Sequence, residues 1–138
     1  MKKILLMAGI FFILGCTQLQ SQSVAGNIAW QYDFNKAQIL AASEKKPILI
    51  DFYTEWCGWC KRLDKDTYGN KEVADFARQF VCVKIDAEKN EALAQQYDVR
   101  GFPTTVFLKS DGTLIEAVPG YLPPDQFLEL LKRIMDGV

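Results

Sequence analysis

The stretch Ile48-Leu49-Ile50-Asp51-Phe52-Tyr53 does most to limit what this chain can fold into: it has strand length and is apolar almost throughout, with one carboxylate inside. A strand with one wet face alternates polar and apolar residues, so an unbroken run of this kind is a central strand covered on both faces. From Trp30 onward strand and helix patterns alternate around it. Asp33 caps a helix through about Ser43, with Phe34, Ala37, Ile39, Leu40 and Ala41 as its apolar positions, and Pro47 ends it. A helix from about Cys57 to Tyr68 breaks at Gly69-Asn70. A second begins with Asn70 as cap and places Val73, Phe76, Ala77 and Phe80 on one face. Val81 to Asp86 is the next strand and Asn90 to Tyr97 a short helix. Thr104 to Lys109 and Thr113 to Val118 flank Ser110-Asp111-Gly112 as a hairpin. The last helix starts at Pro123-Pro124-Asp125 and carries Phe127, Leu128, Leu130, Leu131, Ile134 and Met135 as a broad stripe. The order β, α, β, α, α, β, α, β, β, α predicts the α/β class, with one mixed sheet sandwiched by helices.

The length of 138 residues fits one domain with a sizeable core. Sixteen Lys plus Arg stand against 17 Asp plus Glu, well mixed, so there is no polybasic footprint for nucleic acid. The chain has four Cys and no His. Without imidazole there is no Ser-His-Asp triad, no Cys-His protease and no His-ligated metal. General base duty falls to a carboxylate, a Lys or a thiolate.

Residues 1–15 are set apart from the fold. Lys2 and Lys3 precede an apolar run from Ile4 to Leu14 that ends at Gly15-Cys16. As a helix this run spans only about 16 Å, roughly half a bilayer core, so it reads as the core of a signal peptide. Ile13-Leu14-Gly15-Cys16 resembles a bacterial lipoprotein box, in which the Cys is lipidated on sulfur and becomes the new N-terminus. The alternative is an ordinary secretory peptide cleaved nearby. Residues 16–28 are mostly small and polar, a tether with an r.m.s. reach of roughly 20 Å, and residues 29–138 form the domain. The expected location is the bacterial cell envelope, lipid-anchored through Cys16 on the periplasmic side of either membrane.

The chemistry concentrates at Glu55-Trp56-Cys57-Gly58-Trp59-Cys60-Lys61, just after the buried strand and at the opening of a helix. A Cys-x-x-Cys pair is either redox-active or half a zinc site. Here no second pair exists and no His completes four ligands, so the redox reading is favoured. At a helix N-terminus the first Cys meets unpaired backbone N–H groups and the positive end of the dipole, which favour thiolate. Lys61 and Arg62, one turn on, add to this. Lowering a thiol pKa from about 8.5 to about 7 amounts to roughly 2 kcal/mol and makes about half the thiol ionised at neutral pH. Cys57 is therefore the expected nucleophile and Cys60, further in, the resolving thiol.

Over about residues 29 to 137 the sequence resembles the thioredoxin superfamily. Asp51 lies six residues before Cys57 on the central strand, and Trp56 precedes the first Cys. Gly101-Phe102-Pro103-Thr104 matches the family's cis-proline loop, with Gly120 following where a Gly lets backbone approach the active site. The Cys57-Gly58-Trp59-Cys60-Lys61 core and the lipid anchor look more like the thioredoxin-like domains secreted to bacterial envelopes. The resemblance implies a thioredoxin-like fold and thiol-disulfide exchange at Cys57 and Cys60, with Asp51 as a proton acceptor of raised pKa. It implies a substrate-binding surface of Trp56, Gly58, Trp59, Phe102, Pro103 and Gly120, the Phe102 backbone being exposed by a cis peptide for pairing with a substrate chain. No cofactor or metal is implied, because the cysteines carry the electrons. The implied partners are protein disulfides and a membrane thiol electron donor, and the chain is expected to act as a monomer.

One departure stands out. Where thioredoxins often carry a Lys on the neighbouring strand, four before its terminal Asp, this chain has Cys82. Lys84 shares that face two residues nearer Asp86, which implies a differently tuned Asp51. Cys82 itself reads as an inert core thiol. The stretch 61–102 leaves no room for the inserted helical domain of periplasmic disulfide-forming oxidases. The leading expectation is thus an envelope protein-disulfide reductase. The alternatives are an oxidant or isomerase, a Cu(I) or zinc carrier using Cys57, Cys60 and Cys82, and a structural lipoprotein with a static disulfide.

Overall fold

In this computed structural model residues 27–138 are described; the expected signal peptide, Cys16 and most of the expected tether lie outside them. The elements are α1 (Phe34–Glu44), β1 (Ile48–Tyr53), α2 (Gly58–Leu63), α3 (Lys71–Phe76), β2 (Val81–Asp86), α4 (Glu91–Gln96), β3 (Thr104–Leu108), β4 (Leu114–Pro119) and α5 (Pro124–Asp136). Local chemistry sets their starts. The Lys36 amide donates to the Asp33 side chain at the head of α1, and Asn70 caps α3 by accepting from the amides of Glu72 and Val73.

The strands form one mixed sheet in the order β2-β1-β3-β4, with β1 parallel to β2 and antiparallel to β3. All of β1 from Ile48 to Phe52 is buried, as the apolar run required. Side chains alternate across a strand. Ile48, Ile50 and Phe52 therefore join Ala37, Ala41, Ala94 and Tyr97 on one face, beneath α1 and α4. Leu49 joins Leu63, Val73, Phe127 and Leu131 on the other, beneath α2, α3 and α5. By the same alternation Asp51 belongs to the second face. Its register partners are Lys84 on β2 and Thr105 on β3.

Two expectations are corrected. The leading strand near Trp30 shrinks to one parallel bridge between Gln31 and Val83, because Asp33 turns the chain into α1 almost at once. The helix expected through Tyr68 is α-helical only to Leu63; Asp64–Tyr68 is a wider π turn. Gly69 closes that turn at close quarters, since a Cβ there would lie 2.6 Å from the Lys65 carbonyl oxygen. A Gln79-terminated 3-10 turn likewise ends α3. None of the helices in the described residues is long and apolar enough to cross a membrane.

Candidate active site

β1 delivers the chain to a tight turn in which the Cys57 amide donates to the Thr54 carbonyl, and α2 starts at once. Cys57 is the N-cap of α2, and its Sγ accepts from the Cys60 amide at 3.1 Å. The sulfur thus takes the place of a capping oxygen at a donor the helix cannot otherwise satisfy. The two cysteines form a disulfide with Cα atoms 5.3 Å apart. Both are buried in this oxidised state, 5% and 3% exposed, so accessibility hardly separates them; their places on the helix do. Gly58 between them is exposed and meets nothing within 4 Å of where a Cβ would sit.

Around the disulfide the predicted residues gather. The Phe102-Pro103 peptide is cis, and Gly120, at φ 94°, donates its amide to the Pro103 carbonyl at 2.8 Å. That backbone conformation suits glycine. Trp59, Phe102, Pro103 and Gly120 line a cleft of about 330 Å³ together with Tyr121. Trp56 stands at its edge, packed edge-on against Phe102 and held by a 2.6 Å hydrogen bond from Nε1 to Glu88. Trp56 and Trp59 are 67% and 55% exposed, an unusual amount of indole to leave in water and a mark of a contact surface.

Tyr121 was not anticipated. Its ring lies 5.6 Å from that of Trp59, and the Arg62 guanidinium stacks over both. Asp66 accepts from Arg62 and from the Tyr121 hydroxyl, so Arg62 is engaged by the rim and is not left free to serve the thiolate.

A charged network lies on the sheet face that α2 covers. Asp51 is 1% exposed. Lys84 donates to it at 2.7 Å and to Asp64 at 2.6 Å, and the Tyr68 hydroxyl donates to it at 3.1 Å. Burial pushes the Asp51 carboxyl above its ordinary range, while the Lys84 ammonium pulls it part of the way back. On Lys84 burial acts downward, but Asp51 and Asp64 together outweigh it and raise the net value. Burial, reinforced by the charge on Asp51, holds Tyr68 well above the phenol range.

Lys84 therefore occupies the place beside Asp51 that the sequence reading took to be vacated by Cys82. The signal was strand register: in the parallel pairing Asp51 faces Lys84, whatever the count back from Asp86. Cys82 is buried against the Ala77 carbonyl, and burial pushes its thiol up to about 12, which suits an inert core residue and not a third thiolate ligand. Among the described residues no three His, Cys, Asp or Glu side chains are placed to hold a metal ion.

A cysteine pair capping the helix after a central strand, faced by a cis-proline loop, defines a thiol-disulfide oxidoreductase of thioredoxin fold. The chain belongs to the thioredoxin-like domain family, whose profile matches residues 34–134. It is 36% identical over 101 residues to the thiol:disulfide interchange protein DsbD of Vibrio vulnificus strain CMCP6, covering 69% of this chain but 17% of that relative. It is 33% identical over 99 residues to a thioredoxin of Mycoplasmoides gallisepticum, covering 71% of this chain and 95% of that one. The oxidised C-terminal domain of DsbD from Neisseria meningitidis superposes with a TM-score of 0.64 at 26% identity, covering 76% of this chain and 98% of that domain.

Proposed function

We propose that this protein reduces protein disulfides in the bacterial cell envelope, tethered through a lipid on Cys16 and acting as a monomer. The reading is carried by Cys57, whose sulfur caps α2 while Cys60 supplies the amide it accepts from. That position favours the thiolate at Cys57 once the disulfide is opened. The DsbD likeness supports an interchange partner, and the apolar run ahead of Cys16 supports export.

In the reduced protein the Cys57 thiolate attacks one sulfur of a substrate disulfide. A mixed disulfide forms, and the other substrate sulfur leaves as a thiolate and takes up a proton. Cys60 then loses its proton to Asp51 and attacks the Cys57 sulfur. The Cys57–Cys60 bond forms, the bond to substrate breaks, and its electron pair leaves with the second substrate thiolate, which is protonated in turn. Two electrons and two protons pass to the substrate. A dithiol electron donor in the membrane restores the reduced pair. The cleft of Trp59, Phe102, Pro103, Gly120 and Tyr121, with Trp56 at its edge and Gly58 giving open approach, receives the chain flanking the substrate disulfide.

The test is the reduction potential of Cys57/Cys60 in the full chain, with Cys60→Ser as a trap. A value near or below about −250 mV marks a reductant, and one above about −180 mV an oxidant or isomerase. The trap variant should accumulate envelope proteins linked through Cys57. A pair that fails to interconvert reversibly, or a trap that captures nothing, removes the proposal.

A further inference from the structure

Trp30 lies ahead of the stretch matched by the family profile, which starts at residue 34. Its surroundings are nevertheless those of the active site. The Trp30 ring packs edge-on against Tyr68 with centroids 4.9 Å apart, and the Lys84 ammonium sits 5.0 Å from its centre. Those two residues are the side chains that hydrogen-bond Asp51. The contact is fixed by backbone: the Gln31 amide donates to the Cys82 carbonyl at 2.8 Å, and the Lys84 amide donates to Gln31 at 2.9 Å. One short bridge thus pins the indole above the strand that carries Lys84. Trp30 also forms a wall of a cleft of about 360 Å³, lined further by Asn27, Ile28, Asp64, Tyr68, Gly69 and Lys84, which opens the network to solvent.

We propose that Trp30 is a positioning residue for Asp51, its indole holding Lys84 and Tyr68 against the buried carboxylate and limiting water at Lys84. The inference rests on the assignment of Asp51 as acceptor of the Cys60 proton in the resolving step, as the Cys57–Cys60 bond forms and the substrate thiolate leaves. The groups facing Lys84 are Asp51 and Tyr53 from β1 and Asp64 and Tyr68 from the π turn, with Trp30 closing the remaining side. The Lys84 side chain is 12% exposed and Asp51 only 1%. Removing the indole wets Lys84 first. Its attraction for Asp51 is then screened while Asp51 stays buried, so the carboxyl holds its proton more tightly.

The experiment titrates the Asp51 carboxyl carbon by NMR in the reduced full chain, its signal assigned by its loss in Asp51→Asn. Trp30→Leu is apolar but smaller and has no π face, so it opens Lys84 to water; Trp30→Phe keeps an aromatic ring over the ammonium. The Asp51 midpoint should rise by about one pH unit, a tenfold change in proton affinity, in Trp30→Leu and stay near wild type in Trp30→Phe. An unmoved midpoint in Trp30→Leu, or an equal rise in both variants, overturns the proposal. If Trp30→Leu does not fold, Trp30→Met, apolar and flexible but likewise without a ring over Lys84, is read the same way. The titration needs no turnover. A wild type without exchange activity therefore sinks the reductase reading, whereas an active wild type with an unmoved midpoint sinks the role of Trp30.

Discussion

Asp51 is the residue at which the proposed proton transfer and the stability of this protein meet. In the folded chain its carboxyl binds a proton more tightly than an exposed one, because burial outweighs the help of Lys84. The unfolded chain therefore carries fewer protons than the folded one over the interval from the ordinary carboxylate value of 3.8 to the raised folded value. Stability must fall as pH rises through that interval. Lys84 acts with the same sign at the alkaline end: its raised value contributes stability that is fully present below 10.5 and is lost as pH climbs through the folded value. In Asp51→Asn the acid-side fall should disappear, so its melting temperature should gain on wild type as pH rises from about 4 to 7. Parallel melting curves across that range would show that Asp51 is not held protonated by the fold. Cys57, Cys60, Asp51 and Trp56 were readable because each is a residue type at a fixed interval along one strand-turn-helix unit, and the Pro103 loop because Gly101-Phe102-Pro103-Thr104 is a contiguous motif. Of Lys84 the strand face was readable but not its direct pairing with Asp51, and Tyr68, Tyr121 and Trp30 were not readable, since these relations pass through strand register and ring packing between segments distant in sequence.

The π turn is the element that gathers those distant residues. Its extra width brings Tyr68 inward to Asp51 and Trp30, while Thr67 donates to the Leu122 carbonyl and Asp66 accepts from Tyr121. A single turn thus ties the helix bearing the cysteines to the segment following Gly120. The apolar pattern of 57–68 predicts a helix there but not a π turn, because a one-residue widening leaves the hydrophobic spacing almost unchanged. Gly69 gives the clearest handle on it. A Cβ at 69 would meet the Lys65 carbonyl oxygen at 2.6 Å, and backbone cannot rotate away as a flexible side chain would. Gly69→Ala should cost about 1–3 kcal/mol in urea unfolding, as overpacking does elsewhere. It should also slow release of the mixed disulfide, because Tyr68 moves with the turn. A loss below about 0.5 kcal/mol, the level of an ordinary surface substitution, would mean the turn relaxes freely.

Across the whole molecule the sheet separates two tasks. One face holds an apolar core against α1 and α4, while the other face combines its core with the Asp51–Lys84 pair and carries the cysteine helix α2. The nearly unbroken apolar run of β1 allowed the layers to be read from sequence, since an uninterrupted apolar strand needs cover on both sides. The N-terminal region poses a different physical question, namely what would hold the domain at a membrane under the proposed function. The described residues contain no membrane-crossing helix, and the run from Ile4 to Leu14 is too short to act as one. A lipid on Cys16 would supply the attachment by burying acyl chains at about 0.8 kcal/mol per methylene, and stable anchoring takes more than one chain. Cys16→Ser removes the sulfur proposed to carry the lipid while leaving Cys57, Cys60 and the core untouched. Radiolabelled palmitate should then no longer be incorporated, and the protein should leave the membrane fraction. The reduction potential of Cys57/Cys60 should stay within about 10 mV of wild type, well under the 30 mV that corresponds to about 1.4 kcal/mol. Retention of label and of membrane association in Cys16→Ser would place the attachment elsewhere, and a shifted potential would mean that Cys16 exchanges with the active pair.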